Sequence, residues 1–147
     1  MKLKVYTDGS YDEGRRVYGG GVVILGMPGE DEYVSAQVCG NNPDFTQHRN
    51  VSGEILAVIK AMEIISNIKD VDEVTIYHDY TGIKFWATGE WRAKLKLSRL
   101  YVQCMQQYAK QFKINFVKVK GHSGDRYNTI ADRLAYGATR EGFKNNA

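Results

Sequence analysis

Residues 2–10 of the chain, KLKVYTDGS, combine an apolar strand pattern with a carboxylate at its end. The segment is built like a buried β-strand, and it stops at Asp8, which is followed by Gly9 and Ser10. Asp-Gly is common in turns, because an Asp side chain caps its own backbone and Gly accepts a positive φ. The alternative is that Asp8 stands at the strand end for its chemistry, which requires further carboxylates delivered to the same place by distant parts of the chain.

The rest of the chain predicts an α/β fold in which a five-stranded mixed sheet is flanked by helices, in the order βββαβααβα. Polar, Gly-containing connections join the first three strands as an antiparallel meander, and a long amphipathic helix then crosses the sheet. A short right-handed crossover favours pairing of the first strand with the fourth. We expect strands at 2–10, 18–26, 32–40, 72–80 and 113–120, and helices at 52–68, 81–91, 98–112 and 125–140.

Length and composition predict one compact domain. The chain has 147 residues, of which 43% are hydrophobic, enough to bury a core, and residues 136–147 are expected to form in part a C-terminal tail. The two cysteines, Cys39 and Cys104, match no metal-ligand or redox spacing, and the first residues lack a long apolar run. We therefore expect a cytoplasmic monomer with reduced thiols, no membrane span and no obligate protein partner.

Positive charge is concentrated in one third of the chain. Residues 84–126 hold ten Lys or Arg against two acidic side chains, a net charge of +8, whereas the other residues sum to −5 and the whole chain to +3. Trp86, Trp91, Tyr101 and Tyr108 lie within this basic stretch. Such a pattern suits a polyanion with stackable bases, and the competing interpretation is a solvated helix face on an ordinary basic protein.

Four carboxylates are placed to meet at one edge of the predicted sheet. Asp8 and Asp79 end strands that are expected to be neighbours. Glu54 lies early in the helix between those strands, and Asp132 lies one or two turns into the last helix. Each also has a structural explanation, as a turn residue, a first-turn helix acid, a strand-to-helix junction or an exposed helix charge.

A cluster of four carboxylates without a ligand would be unfavourable, because like charges repel strongly in a poorly hydrated pocket. A divalent cation resolves this conflict, and all-oxygen ligation selects a hard ion, Mg²⁺ or Mn²⁺. No Cys/His set in the sequence suits a zinc site. The pattern therefore predicts a metal site built on carboxylates alone.

Four short motifs follow one another along the chain. They are TDGS (7–10), SGE (52–54) before an apolar helix, YHDY (77–80), and VKGHSG (119–124) with Asn128 and Asp132 behind it. No single motif is specific, but the ordered set spans nearly the whole chain. Together they resemble type 1 ribonuclease H, and the predicted element order agrees with the ribonuclease H-like fold.

The resemblance implies an endonuclease that hydrolyses the RNA strand of RNA–DNA hybrids and leaves 3′-hydroxyl and 5′-phosphate ends. Its catalytic, metal-binding residues would be Asp8, Glu54, Asp79 and Asp132. Two Mg²⁺ ions roughly 4 Å apart would activate a water and stabilise the departing ribose oxygen, with Mn²⁺ as a possible substitute. His122 would be the flexible-loop histidine that assists proton transfer or product release; the alternative is an inert surface histidine.

The same resemblance implies residues that hold the hybrid. Two tryptophans with nearby basic side chains look like a handle for the DNA strand, while backbone groups and an asparagine before the catalytic glutamate help to recognise the ribose 2′-hydroxyl. The alternatives are a helix-entry residue for Asn50 and a core residue for Trp86, and no role is assigned to His48 or His78. The implied substrate-binding residues are Gly9, Ser10, Asn50, Trp86, Trp91, Arg92, Lys94, Lys96 and Asn128.

Three features differ from the pattern of the better-known bacterial members. Only residues 89–100 stand where those members have a longer basic protrusion, so we expect a lower affinity for hybrids. The sequence starts directly at the first strand, so we expect no N-terminal hybrid-binding domain of the kind that some relatives carry. Tyr80 follows Asp79 at a position where a small residue, often Ser, is common.

Two other functions stay open on the sequence alone. One is a catalytically silent nucleic-acid-binding module of the same fold, which predicts hybrid binding without metal-dependent turnover. The retention of four like charges argues against it. The other is a nuclease of the same fold that acts on a different substrate, such as a DNA junction or double-stranded RNA.

Overall fold

The structure, a computed structural model, describes residues 1–29, 31–119 and 125–141. A single 3-10 turn, Thr46–His48, precedes the first long helix. The strands are β1 (Lys2–Asp12), β2 (Val17–Leu25), β3 (Val34–Gly40), β4 (Glu73–His78) and β5 (Lys113–Lys118). The helices are α1 (Asn50–Ile65), α2 (Gly82–Thr88), α3 (Lys96–Tyr108) and α4 (Arg126–Glu141).

The five strands form one mixed sheet in the order β3-β2-β1-β4-β5. β2 pairs antiparallel with β1 and with β3, while β4 pairs parallel with β1 and with β5. The predicted element order and the pairing of the first strand with the fourth are confirmed. In the parallel register Tyr6 stands opposite Tyr77, so Asp8 and Asp79, each two residues further on, leave the sheet at the same edge.

Helices cover the two faces of the sheet unequally. The larger core lies between the sheet and the helices α1, α2 and α3, and Val5, Ile55 and Ile76 are fully buried there. The smaller core lies on the opposite face, where Tyr6 and Val23 pack against Ala131 of α4. Because side chains alternate along a strand, Thr7 faces α1 while Asp8 faces α4.

Glycines in β2 let both site-bearing helices approach the sheet backbone. A Cβ atom at Gly20 would lie 2.2 Å from the carbonyl oxygen of Gly53, and one at Gly21 would lie 2.0 Å from that of Ala131. Gly53 precedes Glu54 in α1, and Ala131 precedes Asp132 in α4. The glycines of β2 therefore set how close Glu54 and Asp132 lie to the sheet. The sequence pattern did not reveal this role of the glycines.

Several element ends differ from the predicted ones. α1 begins at Asn50 rather than at residue 52, so Ser52 lies inside the first turn, where its hydroxyl donates to the carbonyl of Phe45. α2 ends at Thr88, where Gly89 adopts a left-handed conformation with φ of 83°. α4 continues to Glu141, so residues 136–141, at the start of the expected tail, are helical. Among the described residues, no helix is long and apolar enough to cross a membrane.

Candidate active site

Asp8 lies close to two other carboxylates at the end of β1. Burial raises the pKa of Asp8 from 3.8 to about 7; the Gly9 N–H group, 2.8 Å from Oδ1, opposes this shift, and the neighbouring Asp132 and Asp79 add to it. The Asp8 and Asp132 carboxyl groups are near enough to share a hydrogen bond. β1, α4 and the segment after β4 thus bring three acids to one place.

Glu54 is the buried member of the group, with 2% of its surface exposed. Its Oε2 accepts hydrogen bonds from the Thr7 hydroxyl at 3.3 Å and the Asp79 N–H at 3.0 Å, and its Oε1 accepts one from the Tyr80 N–H at 2.9 Å. Burial raises the pKa of Glu54 to about 8; the two N–H groups lower it, and the charges of Asp8 and Asp79 raise it again. The carboxyl group is therefore fixed against the end of β4.

The donor set fits a hard divalent cation. Asp79 and Asp132 are exposed and Asp8 is partly buried, so three of the four carboxylates can turn toward an ion. Burial and the neighbouring carboxylates raise the pKa values of Asp8 and Glu54, so the site disfavours their charged forms, and none of the ion pairs between described residues involves either group. Within the described ranges no three Asp, Glu, His or Cys side chains already surround one common ion position, so coordination requires rotation of the exposed acids.

A groove with aromatic walls lies beside these carboxylates. It encloses about 670 Å³, and its walls include the ring of Tyr80, the residue directly after Asp79. The Trp86 and Trp91 ring centroids are 6.1 Å apart, and Tyr80 lies 5.6 Å from Trp86. The groove is lined by His48, Tyr80, Trp86, Glu90, Trp91, Arg92, Lys94, Leu95 and Ser98.

A family model for RNase H matches residues 1–140, nearly the whole chain. The chain belongs to the RNase H family. A relative from Ehrlichia ruminantium (strain Gardel), named Ribonuclease H, is 33% identical over 143 residues, which cover 91% of this chain and 92% of the relative. The resemblance inferred from the motifs is confirmed, and the chain is a ribonuclease of this family.

Solved structures agree with this fold. The N-terminal RNase H domain of a Mycobacterium tuberculosis protein, solved as a fusion with maltose-binding protein, has a TM-score of 0.78 at 21% identity and covers 99% of both chains. LC11-RNase H1, crystallised in complex with an RNA/DNA hybrid, has a TM-score of 0.67 at 22% identity and covers 92% of this chain and 98% of that one. The five-stranded sheet with its helices is thus the RNase H fold.

Two predicted residues of this RNase H belong to the last motif and the helix behind it. His122 lies outside the described residues. Asn128 is buried in the first turn of α4, and its Oδ1 has no hydrogen-bond partner among the described residues. Asp125 caps that helix, because its Oδ1 accepts from the N–H groups of Tyr127 at 2.9 Å and Asn128 at 3.2 Å.

The residues predicted to contact the ribose lie where β1 meets α1. A Cβ atom at Gly9 would lie 2.0 Å from the Asn50 carbonyl oxygen and 2.5 Å from the Glu54 nitrogen, so only glycine permits this approach. Ser10 is partly buried, and Asn50 is exposed as the first residue of α1. Asn50 is therefore a helix-entry residue by position, and its exposure also leaves it available to a ligand.

The residues predicted to hold the DNA strand differ in burial and in whether they line the groove. Trp86 is 7% exposed and packs into the larger core, whereas Trp91 is 40% exposed. Arg92 and Lys94 line the groove with them. Lys96 does not line this groove, and its Nζ pairs with Asp44 at 3.1 Å.

Two of the groove residues without a predicted role carry a ring, His48 and Tyr80. The His48 ring lies 5.5 Å from that of Trp86, its Nε2 is buried without a partner among the described residues, and burial lowers its pKa. The other is Tyr80, which the sequence marks only as a departure from the family pattern. The position of Tyr80 directly after Asp79 is the one feature of the sequence that could have indicated a role for it. His48 contacts Trp86, which is distant in sequence, and no local pattern indicates such a contact.

Proposed function

We propose that this RNase H is an endonuclease that cuts the RNA strand of RNA–DNA hybrids and leaves 3′-hydroxyl and 5′-phosphate ends. The observation that carries the proposal is the convergence of carboxylates from β1, α1 and α4 beside a groove with aromatic walls and basic side chains. Family membership supports the nuclease activity. The hybrid in the LC11-RNase H1 crystal supports the choice of substrate.

We infer that the site takes two Mg²⁺ ions, with Mn²⁺ as a substitute, and that Asp8, Glu54, Asp79 and Asp132 would hold them. The all-oxygen donor set supports this assignment, as do the raised pKa values of Asp8 and Glu54, which a bound cation would lower. The chemistry that such ions supply is activation of a water and stabilisation of the departing ribose oxygen.

The protein's own part is to fix the acids before the substrate arrives. The Thr7 hydroxyl and two backbone N–H groups hold Glu54, and the Gly9 N–H holds Asp8 Oδ1 at 2.8 Å. Such preorganisation means that Glu54 and Asp8 need little rearrangement during the reaction, whereas the exposed Asp79 and Asp132 would turn toward the ions. His122 is assigned to proton transfer or product release, and this assignment rests on its motif alone.

The groove is assigned to the DNA strand. Trp91 offers an exposed ring for stacking, and Arg92 and Lys94 offer charges to phosphates. Asn50, Ser10 and the backbone at Gly9 are assigned to the RNA strand, where the 2′-hydroxyl distinguishes ribose from deoxyribose. Lys96, which is paired with Asp44, is assigned a smaller part than the other two basic residues.

A substrate panel tests this function. The wild-type protein is incubated with a labelled RNA–DNA hybrid, the matching RNA duplex and the matching DNA duplex, each with Mg²⁺, with Mn²⁺ and with EDTA. We expect metal-dependent cutting of the RNA strand of the hybrid only, with 3′-hydroxyl ends. Cutting of either duplex at a similar rate would assign another substrate, and hybrid binding without cutting in both metals would favour the silent module.

A further inference from the structure

The main chain of Tyr80 is held on both sides. Its N–H donates to Glu54 Oε1 at 2.9 Å. Its carbonyl oxygen lies 2.9 Å from Nδ1 of the buried His78 and accepts from the Ile83 N–H at 3.1 Å. Because a carbonyl can only accept, Nδ1 of His78 carries the proton. The backbone at residue 80 is thus tied to a candidate catalytic carboxylate and to a buried imidazole at the end of β4.

The side chain of Tyr80 belongs to the groove. Its ring centroid lies 5.6 Å from that of Trp86 and 6.2 Å from that of Trp91, and 36% of the residue is exposed. A Cβ atom at residue 82 would lie 2.4 Å from Cε2 of Tyr80, so Gly82 leaves the space that the ring needs. Tyr80 is therefore the groove residue whose backbone also contacts Glu54.

Trp91 provides the comparison within the same groove. Its N–H donates to the carbonyl of Phe85 at 3.0 Å, and its ring contacts Phe85, Trp86 and Tyr80. The hydrogen bonds that the Glu54 carboxylate accepts from described residues come from Thr7, Asp79 and Tyr80. Loss of the Trp91 ring removes one of the two ring contacts of Tyr80 and no hydrogen bond of the Glu54 carboxylate, so it should weaken the groove and disturb Glu54 less than loss of the Tyr80 ring does.

We propose that Tyr80 is a positioning residue that couples occupation of the groove to the placement of the Glu54 carboxylate. The packing of its ring fixes the backbone of the segment after Asp79, and that backbone supplies the N–H group that holds Glu54 Oε1. A nucleic-acid strand in the groove restrains the ring further and so restrains the N–H group. This inference rests on the proposed function for its substrate, but the hold on Glu54 is independent of substrate.

Steady-state cleavage of the hybrid separates this role from that of a simple groove wall. Trp91→Ala should lower kcat/KM mainly through a higher KM, as expected for weakened substrate binding. Tyr80→Ala should raise KM and also lower kcat by about tenfold or more, because small misplacement of a catalytic group is costly. Tyr80→Phe keeps the ring and should recover most of the kcat of the wild type.

A second readout needs no substrate. Mg²⁺ should raise the unfolding temperature of the wild-type protein. Tyr80→Ala should shift the Mg²⁺ concentration for half of that rise upward by about threefold or more, whereas Trp91→Ala, which leaves the Tyr80–Trp86 contact in place, should shift it by less than about twofold. Gly82→Ala leaves Tyr80 in the chain but pushes its ring aside, and it should reproduce the kcat loss and the Mg²⁺ shift of Tyr80→Ala.

A Tyr80→Ala variant that changes only KM and binds Mg²⁺ like the wild type would overturn the proposal. If the wild-type protein failed to cut the hybrid, the proposed function would fall, while the Mg²⁺ comparison would still decide whether Tyr80 holds Glu54. Circular dichroism of each variant confirms that it folds. Should Tyr80→Ala not fold, Gly82→Ala and Tyr80→Phe give the same two comparisons.

Discussion

Asp8 and Glu54 are acids whose surroundings favour the neutral form. Burial is the main cause for both, and the nearby carboxylates add to it. Such groups reduce the free energy of unfolding of the metal-free protein near neutral pH. A carboxylate that stays charged there is held in a site that disfavours its charge, and one that takes up a proton does so at a cost in free energy. A cation bound at the proposed site would reverse this penalty, so metal affinity and stability would be linked at these two residues.

Replacing Asp8 by Asn should stabilise the metal-free protein. The amide keeps the shape of the side chain and removes one charge from a group that also includes Asp79 and Asp132. We expect the unfolding free energy in EDTA to rise by on the order of 1 kcal/mol. Urea denaturation at pH 8 measures it, with Glu63→Gln, an exposed acid of α1, as the control. A lower stability for Asp8→Asn would mean that the Asp8 carboxylate is not under the repulsion inferred for it.

The stability of the metal-free protein should fall as pH rises from about 4 to about 8. The folded-state pKa values of Asp8 and Glu54 lie above their ordinary values of 3.8 and 4.5, so the folded state binds more protons than the unfolded state in this window. The contribution of these two groups to the free energy of unfolding is therefore fully present near pH 4 and is lost as the pH rises to about 8.

Denaturation in EDTA at pH 5 and pH 8, for the wild type and for Asp8→Asn/Glu54→Gln, measures this contribution. Both proteins keep His48 and His78, so the comparison cancels the contribution of these histidines to the pH dependence. Their lowered pKa values make the protein more stable as pH rises, opposite to the effect of the two acids. The wild type should lose on the order of 2 kcal/mol more than the double variant between the two pH values. Equal pH dependence in both proteins would show that the two acids are not held in a charge-disfavouring site.

Among the secondary-structure elements, the sheet places the site and the glycines of β2 set its dimensions. The strand order follows from local patterns and from the right-handed crossover rule, so the meeting of Asp8 and Asp79 was predictable. The close contact of β2 with both helices was not, because it depends on backbone atoms from distant segments. α3 starts at Lys96 rather than at residue 98 for a local reason: Ser98 lies inside the first turn, where its Oγ accepts from the Leu95 N–H at 3.3 Å.

Gly21→Ala should destabilise the protein by forcing α4 away from the sheet. The new methyl group would lie 2.0 Å from the Ala131 carbonyl oxygen, and Gly21 pairs with Asp8 across the β1–β2 ladder. Overpacking of this kind costs typically about 1–3 kcal/mol. Gly14→Ala is the matched control, because its Cβ would meet only an Asp12 oxygen at 3.6 Å. Equal unfolding temperatures for the two variants would contradict the close packing.

Across the molecule as a whole, charge is divided between an acidic site and a basic groove margin. The sequence indicated this division, since residues 84–126 carry a net charge of +8. It could not indicate which basic side chains face the groove. Arg92 and Lys94 do, while Lys96 turns to Asp44 on the segment before α1. The groove itself is formed by rings from separate segments, and a local pattern carries no information about that contact.

Neutralising Arg92 and Lys94 together with Gln should weaken hybrid binding and flatten its salt dependence. Removal of each phosphate-binding charge should reduce the slope of log K against log salt by about 0.7–0.9. Adding Lys96→Gln should change the slope less than either of the other two. Lys110→Gln, which removes an exposed charge outside the groove, is the control. A slope unchanged by the double substitution would place the nucleic acid elsewhere on the surface.

The four carboxylates, acting together, are the site at which we propose that this RNase H cuts the RNA strand of a hybrid. The decisive experiment compares the cleavage rate of an end-labelled hybrid with Mg²⁺ by the wild type, Asp8→Asn and Glu63→Gln. We expect Glu63→Gln to cut like the wild type and Asp8→Asn, although folded, to lose at least about 100-fold in rate. Near-normal cleavage by Asp8→Asn would show that the site lies elsewhere.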